Sequence, residues 1–126
     1  MEPFLLVLQF LSDPYHLALI FGGTLVGIIV GALPGLGSVI LIALMLPFVV
    51  RMDPITGIAL CAIVYCATTY GGSITAILIN TPGTPAAAMT TFDGYPLAQK
   101  GEAGRALGIA TFSSAIGGVI GVLVMI

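Results

Sequence analysis

The sequence has no tryptophan, a single histidine (His16), two cysteines, and only three basic and five acidic residues among its 126 positions. Charged residues make up 6% of the chain, against about 25% in a soluble domain. Each scarcity excludes something. Without a basic patch there is no electrostatic footprint for nucleic acid. Cys61 and Cys66 are five positions apart and would point about 140° from each other on a helix at ~100° per residue. With no C-x-x-C motif present, they read as small core residues rather than as a metal or redox pair. There is no H-E-x-x-H motif and no supported Ser/His/Asp set, so the chain reads as a non-enzyme. Residues 1–13 contain Glu2 and Asp13 but no Lys or Arg, which is unlike the basic start of a secretory signal.

What fills the chain instead is apolar sequence, 59% hydrophobic. Runs of this length cannot be hidden inside so small a soluble domain. The fold class that follows is an all-α integral membrane protein, a single transmembrane unit over residues 1–126 that sits in the lipid bilayer. No charge interrupts Pro14 to Val50. As one helix that run would reach roughly 56 Å at ~1.5 Å per residue, nearly twice the ~30 Å hydrocarbon core. Pro34 removes a backbone donor, and Gly35 and Gly37 permit dihedrals that other residues resist. A break is therefore expected at 31–38, between a first span over about 17–33 and a second apolar piece over 36–50.

The remaining chain is read in the same way. Residues 3–11 are too short to span and fit an interfacial or half-buried helix, with His16 as an interfacial residue. Ser12, Asp13 and Pro14 form a helix start, by capping and a first-turn proline. Gly23, Gly27 and Gly31 recur at every fourth position and offer a face for close helix packing. A second uncharged run covers Pro54 to Phe92. It is helical in pattern from Ile55, open to a kink at Gly71–Gly72–Ser73, and broken at Asn80–Thr81–Pro82–Gly83–Thr84–Pro85. The eight residues from Pro85 to Phe92 are too few to cross again, so a re-entrant segment is expected there. Asp93–Gly94–Tyr95–Pro96 reads as a turn, 99–105 as solvated, and 106–126 as a spanning helix. Arg51, Lys100 and Arg105 place both of their loops in the cytoplasm by the positive-inside rule, with the chain between them leaving and returning on one side. The two breaks share a pattern of aromatic, Gly, Gly, hydroxyl and then Pro-Gly, at Phe21–Thr24 and Tyr70–Ser73.

A helix interrupted in the membrane frees N–H groups at one new end and C=O groups at the other. The first attracts anions and the second cations. Paired broken helices of this kind bind substrate and coupling ion in transporters. The candidate substrate- or ion-binding residues are Pro34, Gly35, Gly37 and Ser38 at the first break, and Asn80, Thr81, Pro82, Gly83 and Thr84 at the second, with Ser73 and Thr75 able to add hydroxyls. No charged side chain lies in either break. The alternative is a non-transporting scaffold or assembly subunit that packs through its glycine faces, in which the breaks are kinks filled by neighbouring helices.

Three blocks carry a resemblance. Gly23–Gly37 reads GTLVGIIVGALPGLG, Tyr70–Pro85 reads YGGSITAILINTPGTP, and Phe92–Gly108 reads FDGYPLAQKGEAGRALG. Together and in this order they resemble the large membrane subunit of tripartite tricarboxylate transporters, the TctA family. Members are several times longer, so the resemblance implies that this chain is an N-terminal fragment, the first half of a transporter subunit. It further implies a multi-pass protein of the bacterial inner membrane that takes up tricarboxylates or related carboxylates by symport. The coupling ion would be sodium or a proton, with no other cofactor. The partners would be a small membrane subunit and a periplasmic solute-binding protein.

Overall fold

A computed structural model describes residues 2–125. The described chain is all-α, as befits a membrane protein whose backbone must satisfy its own hydrogen bonds. Its helices are α1 (Glu2–Ser12), α2 (Pro14–Gly31), α3 (Gly37–Val49), α4 (Pro54–Ile79), α5 (Thr90–Gln99) and α6 (Ala103–Met125), with a 3₁₀ turn at Pro85–Ala87. By length and composition α2, α4 and α6 can each cross a bilayer.

Local chemistry sets the helix starts. Asp13 accepts the N–H of Tyr15 at 2.9 Å, and Asp53 accepts that of Ile55 at 3.2 Å. Each Asp is followed by a proline at the first helical position, where the missing N–H costs nothing. α4 ends on Asn80 in the left-handed region, with φ 56°, a conformation that asparagine tolerates better than most residues.

α4 is the central element. α2 runs beside it in the same direction, and the contact is made by glycines. A β-carbon on Gly23 would meet Leu60 at 2.9 Å, one on Gly27 would meet the β-carbon of Ala67 at 2.5 Å, and one on Gly31 would overlap the backbone of Thr68. In return, Gly71 of α4 rests on the backbone of Ile28. Such close approach replaces the hydrophobic drive that lipid removes. α3 returns along α4, with Leu41 buried against Leu60 and Val64 and with Val49 against Gly57. α1 meets the start of this pair, where Phe10 stacks on His16 at 3.9 Å and His16 Nε2 lies 3.2 Å from the Thr56 hydroxyl. α2 and α3 thus form a helical hairpin whose two open ends lie at the start of α4 and whose turn lies beside Thr68.

Three sequence expectations change. Gly71–Gly72–Ser73 does not break α4, which is one helix of 26 residues; the glycines are there for close contact. Asp93–Gly94–Tyr95–Pro96 is not a turn but part of α5, because Gly94 must press against Ile77, where a β-carbon would come within 2.6 Å. Lastly, Arg51 and the 100–105 segment lie at opposite ends of α4. Ala106 shares a cleft with Ser73 and Ile77 near its C-terminus, and a straight helix of this length covers ~39 Å. Three positive charges are too few to make the charge rule decisive. The partial return after Ile79 consists of the 80–84 loop and the 3₁₀ turn, which fold back onto Gly72 and Gly31.

Candidate functional site

The hairpin turn and the loop after α4 converge. Gly83 donates its N–H to the Gly72 carbonyl at 3.2 Å, and a β-carbon on Gly83 would overlap the carbonyl oxygen of Gly31. A β-carbon on Gly72 would come within 2.7 Å of the Thr84 hydroxyl. Three glycines from three segments therefore allow two backbone breaks, far apart in sequence, to touch.

Beside this contact lies a cleft of about 480 Å³, bounded by Gly35–Ile40 on one side and Pro82–Pro85 on the other. Gly35 and Gly37 hold φ angles of +94° and +46°, which carry the chain sharply from the hairpin turn into α3. Leu36 precedes α3 and makes no side-chain cap. The first N–H groups of a helix have no intrahelical partner, so this uncapped end presents donors and a partial positive charge to the cleft. On the facing wall Thr84 is 3% exposed, and its buried hydroxyl has no hydrogen-bond partner among the described residues. Leaving such a group unpaired costs about 1–3 kcal/mol, so Thr84 is a group in want of a partner. The cleft is lined without any charged side chain.

Of the residues singled out from sequence, Gly35, Gly37, Ser38, Pro82, Gly83 and Thr84 line this cleft together. Pro34, Asn80 and Thr81 do not. Pro34 sits exposed in the hairpin turn. Asn80 is exposed and serves as the backbone end of α4. Thr81 is exposed, with its hydroxyl donating to the Ile79 carbonyl at 3.2 Å. Ser73 and Thr75 turn to their own helix, bonding to the carbonyls of Thr69 and Gly72. Leu36 and Pro85, within the backbone stretches 35–38 and 83–86 that the sequence offers as donors, also line the cleft; sequence reasoning missed Val39 and Ile40 as lining residues, and Gly31 and Gly72 as the contact behind the cleft. The paired glycines at 71 and 72 were the available signal for the latter.

The profile described as the tripartite tricarboxylate transporter TctA family matches residues 17–126. A protein of Agrobacterium vitis, described as an uncharacterized 52.8 kDa protein in the TAR-I ttuC' 3' region, is 41% identical over 112 residues. That match covers 89% of this chain and 22% of the relative, so the chain spans about a fifth of that protein's length. No solved structure matches.

Proposed function

We infer the function from one premise: this chain belongs to the tripartite tricarboxylate transporter TctA family. It is accordingly a multi-pass membrane component of that transporter class. We propose that, within a full-length subunit, it forms part of the path by which tricarboxylates or related carboxylates enter the cell, coupled to a sodium or proton gradient. Its partners in this reading are a small membrane subunit and a periplasmic solute-binding protein, and its location is the bacterial inner membrane.

The observation that supports this reading best is the meeting of the two Pro-Gly breaks on one uncharged cleft. A carboxylate there would be held by the free N–H groups at the start of α3 and by hydroxyls, chiefly those of Ser38 and Thr84. Weak, neutral donors suit a site that must release its anion as well as bind it. Packing through glycines accounts for Gly23, Gly27 and Gly31, but it gives no reason for an uncapped helix end and a residue with a buried hydroxyl that has no partner among the described residues to line one cleft. Uptake of radiolabelled citrate tests the proposal, in cells expressing the full-length subunit with both partners. Gradient-dependent accumulation supports it. An assembled complex that moves none of a panel of di- and tricarboxylates would favour the scaffold reading.

A further inference from the structure

A cleft of about 590 Å³ lies at the start of α4, at the opposite end of that helix from the cleft between the breaks. Its volume is in the range of ligand clefts. Leu6, Phe10 and Leu11 of α1 form one wall, and Ile20 of α2 with Ile55 and Ala59 of α4 form the other. His16 holds the walls together, stacking on Phe10 at 3.9 Å and facing the Thr56 hydroxyl across 3.2 Å. Two of the helices long enough to span, α2 and α4, both begin here, so the cleft sits where the bilayer meets water. Tyr15, 55% exposed beside it, suits that depth. α1, with 11 residues, is too short to span and leaves the groove open along its side.

The walls and the rim differ in chemistry. Leu6 is 63% exposed and Ile55 70%. Beside spanning helices such a surface is covered by acyl chains, which are as apolar as leucine. The rim decides which lipid supplies them. Its carboxylates are Asp13 and Asp53, and no Lys or Arg lines the cleft. Each Asp uses one oxygen as a helix cap, toward the N–H groups of Tyr15 and Ile55. The second oxygen of Asp13 lies 3.4 Å from His16 Nδ1, and that of Asp53 has no partner among the described residues. Arg51, the basic residue nearest in sequence, is exposed and makes no ion pair among the described residues. An apolar groove with an acidic rim complements an amphiphile with a cationic head and repels an anionic one. A primary ammonium brings three N–H donors for charge-assisted bonds to carboxylate, whereas a trimethylammonium brings none.

We propose that this cleft binds a phospholipid with a primary ammonium headgroup, of the phosphatidylethanolamine class. The ammonium bonds to Asp53 and Asp13 at the rim, and an acyl chain lies along Ile20, Ile55 and Ala59. The site is independent of the carboxylate cleft and is read without transport. The full-length subunit is purified in detergent and stripped of lipid. Its thermal midpoint is then followed as phosphatidylethanolamine, phosphatidylcholine or phosphatidylglycerol is added in mixed micelles. A ligand that binds only the folded state raises the midpoint in a saturable way. The expected result is a saturable rise with phosphatidylethanolamine, at about tenfold lower concentration than with either other lipid. The double change Asp13→Asn, Asp53→Asn keeps both cap acceptors, removes the charge and should abolish that preference. Ala59→Phe fills the groove and should weaken the response several-fold, which provides the test even if the double variant misfolds. Asp93→Asn, at an exposed carboxylate outside this cleft, leaves the response intact. Equal responses to the three lipids, a preference for phosphatidylglycerol, or a phosphatidylethanolamine preference that survives both sets of changes overturns the proposal. So does a subunit indifferent to lipid whose midpoint rises, through Asp13 and Asp53, when the small membrane subunit is added; the groove would then hold a basic side chain of that partner.

Discussion

The backbone of Gly83 rests against the carbonyl oxygen of Gly31, so closely that a β-carbon at position 83 would overlap that oxygen. The same β-carbon would also lie 2.9 Å from the α-carbon of Gly72. Neither neighbour is the flexible end of a side chain, so something in the backbone must move. Gly83→Ala is expected to destabilise the fold by about 1–3 kcal/mol, as overpacking does. Gly118→Ala is the control: its β-carbon meets nothing within 4 Å, and the change should stabilise α6 by roughly 0.5–1 kcal/mol. Unfolding midpoints in detergent check the pair.

The glycine face of α2 gives a second prediction. Gly27→Leu would drive a side chain into Ala67 and the backbone of Val64. Val26→Leu, one position away, sits where the native side chain is 44% exposed. The first change should lower stability and assembly yield markedly, and the second little. Equal tolerance would mean that α2 and α4 are not packed along Gly23, Gly27 and Gly31.

Helix capping gives a third. Asp53→Ala removes the acceptor for the Ile55 N–H at the start of α4 and should cost about 1 kcal/mol. Asp53→Asn keeps an acceptor and should cost a few tenths at most. Matched unfolding curves for the three proteins distinguish a cap from a merely surface charge.

Topology gives a fourth. With Cys61 and Cys66 replaced, Arg51→Cys and Lys100→Cys place single labels at exposed positions on opposite ends of α4. An impermeant maleimide should reach them from opposite sides of the membrane. Labelling of both from one side would restore the arrangement that the positive charges suggest.

Much of this fold is legible in the sequence because it rests on local chemistry. Asp13–Pro14 and Asp53–Pro54 announce helix starts through a cap and a missing donor. Pro34–Gly35 and the Asn80–Pro85 cluster announce breaks through residues that cannot continue a helix. The rest depends on which segments meet. Gly71 and Gly72 look like a kink in isolation, yet they are the surfaces on which Ile28 and Thr84 rest. Asp93–Gly94–Tyr95–Pro96 carries turn chemistry, yet contact of Gly94 with Ile77 holds it helical. Thr84 and Thr81 are alike in type and close in sequence. Only the folded chain separates the buried, unpaired hydroxyl of Thr84 from the exposed one of Thr81, which is bonded to its own helix end.

The central claim is that the cleft between the two breaks holds a substrate carboxylate, and the Thr84 hydroxyl tests it most directly. Thr84→Val keeps the side-chain shape and removes a buried group that has no partner among the described residues, so the fold itself should lose no stability. The measurement is citrate affinity of the full-length subunit, with Thr81→Val beside it as the variant outside the cleft. The account predicts a roughly tenfold loss of affinity for Thr84→Val, equivalent to ~1.4 kcal/mol, with an unfolding midpoint at or above that of the wild type and near wild-type affinity for Thr81→Val. Wild-type citrate affinity in Thr84→Val would contradict it.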